Sequence, residues 1–330
     1  MTLKEKTMIA STISGAGGST APNSVIHPLD AQDDDVVKAV RAKTAPYKGA
    51  LVGPAARSAY DPIFEAIPDA EGVFYAPGLM GGIEGVWCRP AAAKTGAVIL
   101  YLHGGAYVLG TAQAYRHFAG QFAARTQLPV FVAHYRLAPE QPCPAALDDA
   151  LAAYLGLLGA GYRQIIVVGD SAGGGLSLAL LSHLQEGALS DGVKPVAAVV
   201  MSPWTDLALT GKSLEDKAAA DPMLTRDMLA ANAALYLNHQ ASTLPQASPL
   251  YANLHGLPPL QFHVGTSEIL LDDSVRYADR AREAGVAVTM HTWQGMPHVF
   301  PSMAGTLKAA DEALAIMASF IEDSLKENAR

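Results

Sequence analysis

The chain has 330 residues, half of them hydrophobic and 16% charged, with a formal net charge of −8 at pH 7. That length and apolar content suffice for one large core with an accessory segment. An acidic balance without a long basic run excludes the electrostatic footprint of a nucleic-acid or anionic-membrane binder, so the expected partner is a small neutral or apolar molecule.

The stretch MTLKEKTMIASTISGAGGSTAPNS carries Lys4 and Lys6, but Thr, Ser and Gly stand where a secretory signal would be apolar. Residues 1–30 are therefore expected to be mobile or draped over the surface. No apolar run approaches the roughly 20 residues of a membrane-spanning helix. The two cysteines, Cys88 and Cys143, have no metal-ligand spacing and are expected as free thiols in a cytoplasmic protein.

From Asp33, DDDVVKAVRAKTAPY reads as a short helix with acidic residues at its positive end. GVFYAPGLMGGIEGVWCRP, from residue 72, predicts a pair of antiparallel strands. Short apolar runs then follow at 97–102, 130–134, 165–168, 196–201, 261–264 and 286–291, as expected of strands buried on both faces. Helical patterns alternate with them at 144–158, 172–186 and 273–285 and close the chain at 306–325. The alternation predicts an α/β fold with a mostly parallel central sheet flanked by helices. From Trp204 to about Leu257 it is interrupted by turn signals and one apparent helix, TRDMLAANAALYLNHQ, too long for a plain crossover. This is either a surface excursion or a lid over a site at the strand ends. Met223, Leu224 and Met228 within it are read first as helix packing and second as an acyl pocket.

Gly169-Asp170-Ser171-Ala172-Gly173 lies where a predicted strand hands over to a helix. Gly-X-Ser-X-Gly in that context describes a nucleophile elbow, a sharp turn that presents the serine hydroxyl at the positive end of a helix. A phosphate-binding loop is the rival reading, but Gly173-Gly174-Gly175 is followed by Leu176 and Ser177, with no lysine.

A serine nucleophile needs a base, and the base an orienting acid. His298 follows the last predicted strand on a loop, where catalytic groups gather in open α/β sheets, and is the expected base. His263 falls within a strand and His117, His183 and His239 within apparent helices, so all four are read as bystanders. The expected acid is Glu268, close to a strand end; Asp272 and Asp273, at the start of the next helix, are alternatives or simple caps. Gly104 and Gly105, after the strand 97–102, and Ala172, just beyond the serine, are the expected oxyanion donors.

With HGGAY at 103–107, YRLAPEQPCPAALDDALAAY at 135–154, GDSAGG at 169–174, SPWTDL at 202–207 and GMPHVF at 295–300, the chain resembles the hormone-sensitive lipase family of α/β-hydrolases, the bacterial family IV esterases. The resemblance covers roughly residues 70–325. It implies an α/β-hydrolase domain over 61–330, a helical cap built from residues 1–60 and the 204–257 insertion, and a carboxylesterase acting on short-to-medium acyl esters. Ser171 would be nucleophile, His298 base and acid, and Gly104, Gly105 and Ala172 the oxyanion hole. No metal or organic cofactor is required, and many members are homodimers.

Three positions depart from the family. Glu268-Ile269-Leu270 replaces the usual Asp-Pro-Leu, Ala106 stands where many members have a third glycine, and His134 precedes the Tyr-Arg-Leu-Ala-Pro-Glu stretch in place of Asp. The same residues would serve a lactone, carbamate or amide hydrolase. A non-hydrolytic binding protein on this fold is expected to lack the histidine that stands here within GMPHVF, and a dehydratase would not need the elbow serine.

Overall fold

The computed structural model describes residues 23–187 and 194–328. The draped segment expected at 1–30 falls mostly outside them. Its described end is instead an edge strand, β1 (Ser24–His27), followed by helices α1 (Ala31–Thr44) and α2 (Arg57–Glu65). Strands β2 (Val73–Met80) and β3 (Ile83–Pro90) form the expected antiparallel pair. The alternating core then runs through β4 (Ala97–Leu102), α3 (Ala112–Thr126), β5 (Val130–Ala133), α4 (Ala145–Gly159), β6 (Gln164–Asp170), α5 (Ser171–Glu186) and β7 (Ala197–Met201). The insertion contributes α6 (Ser213–Asp216) and α7 (Arg226–Leu237). The chain closes with β8 (Leu260–Gly265), α8 (Leu271–Glu283), β9 (Val288–Trp293) and α9 (Lys308–Asn328).

These strands form one nine-stranded sheet in the order β1-β9-β8-β7-β6-β4-β5-β3-β2, an α/β-hydrolase arrangement. All neighbours are parallel except at β3, which runs against both β2 and β5. Every residue of β4, β5, β7 and β8 is buried, which explains the unbroken apolar runs of β4, β5 and β7; β8 also buries Gln261 and His263, which pair with each other at 3.2 Å. Helix α3 packs against α9 and α4 against α5, while α8 covers β8 and β9.

After β4 the chain steps to β5 on one side and returns to β6 on the other. That reversal opens a crevice beyond the carboxyl ends of β4 and β6, the usual ligand position in such sheets.

The differences from expectation are local. Thr225 caps α7 by accepting the Met228 N–H at 3.2 Å, and the helix ends at Leu237 because Asn238 turns left-handed, so His239 lies in a turn. Helix α2 runs across the boundary expected at residue 60. Cys88 and Cys143 are both buried and unpaired.

Candidate active site

The loop after β4, the β6–α5 junction and the loops from β7, β8 and β9 meet at the crevice. Strand β6 passes directly into α5, and Ser171 at the junction has φ of 51°, a left-handed conformation that costs a side-chain-bearing residue about 1–3 kcal/mol. Its glycine neighbours make the turn possible: a Cβ on Gly169 would lie 2.4 Å from the Gly173 carbonyl oxygen, and one on Gly173 would lie 2.1 Å from that of Leu102. The Trp204 N–H donates to the Ser171 carbonyl at 2.9 Å, fastening the turn to the chain leaving β7.

Ser171 Oγ lies 2.9 Å from His298 Nε2, and His298 Nδ1 lies 2.7 Å from Glu268 Oε2. A carboxylate accepts only, so this contact assigns the imidazole proton to Nδ1 and leaves Nε2 free to accept from the serine. Glu268 is fully buried, and its Oε1 accepts from Ser202 Oγ and the Gly265 N–H, both at 2.8 Å. Ser202 Oγ in turn accepts the N–H of Val299 at 3.1 Å. One hydroxyl thus spans the acid and the loop bearing His298; its only sequence signal is a place in the SPWTDL stretch. Burial opposes a charged His298, but the Glu268 carboxylate, with Asp221 and Asp170 beyond it, outweighs burial and holds the imidazole above its ordinary pKa.

The alternative acids do not reach His298. Asp273 Oδ2 accepts the N–H groups of Thr205 and Asp206 at 2.7 and 2.9 Å, and burial pushes its carboxyl up to about 8. Asp272 accepts the N–H of Ser213 at 3.1 Å. Of the bystander histidines, His263 is buried in β8 and accepts from Trp293 Nε1, His117 meets Asp69, and His183 is exposed on α5. His134 is exposed at the end of β5, with its Nδ1 3.5 Å from the Ala112 nitrogen.

One expected oxyanion donor needs correction. The Gly104 N–H is already committed, donating to Asp170 Oδ1 at 3.1 Å. Asp170 is wholly buried and also accepts from Tyr101 and Tyr115 at 2.8 and 3.3 Å. Burial pushes its carboxyl up to about 6 against those hydrogen bonds and the nearby His298. Gly105 and Ala106, the next two residues, line the cavity with Ser171. Both have positive φ, 113° and 54°, and among the described residues neither their N–H groups nor that of Ala172 meets an acceptor. Successive N–H groups in a turn conformation can form a concavity suited to an anion. No local signal marks the commitment of the Gly104 N–H, because its acceptor Asp170 is 66 residues away.

The cavity above Ser171 is small, about 70 Å³. Leu51 and Phe64 line it from the N-terminal side, and Met223, Leu224 and Met228 from the insertion. The three insertion residues, read first as packing, therefore also face the site. The two segments are fastened together by Asn232, which accepts the Gly53 N–H at 2.9 Å and donates to the Leu51 carbonyl at 3.0 Å. The arrangement offers a hydroxyl, a base oriented by an acid, free backbone donors and an apolar recess, the parts required for acyl transfer.

A family model for the α/β hydrolase fold matches residues 99–302. The chain is 37% identical over 250 residues to an acetyl-hydrolase of Streptomyces hygroscopicus, covering 75% of this chain and 82% of that protein. It is 35% identical over 269 residues to an esterase of Acinetobacter venetianus, covering 81% and 88%. A crystal structure of an esterase from the bacterial hormone-sensitive lipase family superposes with a TM-score of 0.83 at 34% identity, over 90% of this chain and 99% of the other.

Proposed function

Because the chain belongs to the hormone-sensitive lipase family of α/β-hydrolases and is a carboxylic ester hydrolase, we propose that it cleaves short-acyl esters through an acyl-enzyme on Ser171. The observation that carries this reading is the unbroken hydrogen-bonded chain from Ser171 Oγ through His298 to Glu268 at the base of the cavity.

Ser171 Oγ attacks the ester carbonyl carbon while His298 Nε2 takes its proton. The oxyanion of the tetrahedral intermediate is held by the N–H groups of Gly105, Ala106 and Ala172. His298 then gives its proton to the leaving alkoxide, the alcohol departs, and water repeats the sequence on the acyl-enzyme. The Glu268 carboxylate orients the imidazole and stabilises the imidazolium formed in each half. No step calls on a metal or organic cofactor.

The small apolar recess, together with the acetyl-hydrolase relative, supports an acyl group at the short end of the range. Its volume is well under the roughly 300–1,000 Å³ of pockets for drug-sized ligands. With p-nitrophenyl esters at pH 7.5, kcat/KM is expected to be highest for acetate or butyrate and to fall about 10-fold or more by octanoate. A folded protein inert on every ester of the series overturns the reading.

Gly105→Ala tests the oxyanion assignment. The residue has φ of 113°, and a Cβ there would lie 2.2 Å from the Leu109 carbonyl oxygen, so alanine must shift the loop. Loss of one donor is expected to lower kcat by about 100- to 1,000-fold with KM little changed. Steady-state kinetics on the acetate ester, with circular dichroism to confirm folding, would check it; unchanged kcat would remove the loop from the mechanism.

A further inference from the structure

Asp221, in the insertion between α6 and α7, belongs to no part of the triad, yet it is 1% exposed and its two oxygens face different parts of the molecule. Oδ1 accepts the N–H groups of Met223 and Leu224 at 2.9 and 2.8 Å, and both residues line the cavity. Oδ2 accepts the N–H of Ile269 at 2.9 Å, the residue directly after Glu268. The first pair of bonds is an ordinary local turn at Asp221-Pro222. The third is not local: it spans 48 residues and joins the cavity roof to the loop that carries the acid.

That loop is held from two sides. Glu268 reaches back to the Gly265 N–H and across to Ser202, while Asp221 fixes the next peptide unit. The roof is held further by the Gly49 N–H, which donates to the Met223 carbonyl at 2.9 Å and draws in the segment bearing Leu51. A buried carboxylate is costly unless donors surround it, and the three N–H groups supply that compensation. One side chain therefore sets the distance between the acyl-facing roof and the triad acid.

We propose that Asp221 is a positioning residue that references the roof of the acyl cavity to Glu268, so that acyl-chain selectivity and turnover depend on one carboxylate. The inference rests on the acyl-enzyme reading above. Asparagine at this position has a single acceptor oxygen. With that oxygen on Met223 and Leu224, its amide group meets the Ile269 N–H donor to donor; turned around, it abandons the roof.

The test compares wild type, Asp221→Asn, Asp221→Glu and Met223→Ala on acetate, butyrate and octanoate esters, with full kcat/KM against pH profiles. Asp221→Asn is expected to lower kcat on acetate about 10- to 100-fold, as a misplaced catalytic group does. The octanoate-to-acetate ratio of kcat/KM should rise about fivefold as the roof loosens. The carboxylates acting on His298 are Glu268 from the loop after β8, Asp221 from the insertion and Asp170 from the end of β6. Neutralising one of them should move the acid limb to lower pH.

Asp221→Glu keeps the charge and should leave the acid limb in place while altering the chain-length ratio. Met223→Ala, which trims the roof itself, should alter the ratio without moving the acid limb. A uniform fall across the esters with an unmoved pH profile in Asp221→Asn, or wild-type behaviour in both Asp221 variants, overturns the proposal. Should Asp221→Asn not fold, the ratio and acid limb of Asp221→Glu decide it. An inert wild type would instead overturn the acyl-enzyme reading itself.

Discussion

Ser171→Ala is expected to lower kcat on p-nitrophenyl acetate by about 10⁴- to 10⁶-fold, the range found when an acyl-transfer nucleophile is removed. The variant keeps the oxyanion donors and the cavity, so KM should change little, and the residual rate should reflect binding and electrostatics alone. Folding should survive: the left-handed turn at Ser171 is held by glycine packing and the Trp204 N–H, and neither involves Oγ. The hydroxyl that alanine removes pairs with His298 Nε2, which faces the cavity. Mass spectrometry of wild type quenched during turnover should show one acyl group added, and Ser171→Ala should show none. Full activity in the variant would require a different nucleophile and would end the acyl-enzyme reading.

What is legible in the chain and what is not divides by the range of the interactions. Strand β4, AVILYL, is legible because all six residues are buried, so composition alone marks it. Ser171 is legible because the elbow is a local device, with glycines two positions either side of the serine. His298 and Glu268 can be ranked because each lies just past a strand end, where the topology sends catalytic groups. By contrast, β1 is four residues long, exposes Val25 and Ile26, and becomes a strand only by pairing with β9, some 260 residues away. No local pattern marks such an edge. The same holds for the Gly104 N–H, whose acceptor sits beside the nucleophile, and for Asp221, which looks like a turn residue until Ile269 is seen beside it. Met223, Leu224 and Met228 show that one side chain can both pack against the core and line a cavity, a distinction that hydrophobicity does not make.

Glu268→Gln should be the second most damaging substitution, because the site dictates how the amide must turn. Glu268 Oε1 accepts from the Gly265 N–H, which can only donate, and from Ser202. Glutamine must therefore keep its oxygen there and point its NH₂ at His298 Nδ1. That forces Nδ1 to accept and moves the ring proton to Nε2, the nitrogen that has to take the proton of Ser171. The analogous tautomer error in serine proteases costs about 10⁴-fold in kcat, and a loss of about 10³- to 10⁴-fold is expected for this chain. The pH profile gives an independent sign. In wild type, burial disfavours the charged imidazole, but Glu268, with Asp221 and Asp170, raises its pKa above the ordinary value of 6.5. Activity needs neutral His298, so the acid limb of kcat/KM should lie above pH 6.5 and activity should be lost as pH falls through it. Removing the Glu268 charge should move the limb of the residual activity to lower pH. Asp272→Asn, whose amide oxygen can still accept the Ser213 N–H, should stay within about twofold of wild type. If Asp272→Asn and Glu268→Gln fell equally, the loss would belong to the loop as a whole and not to the carboxylate 2.7 Å from His298.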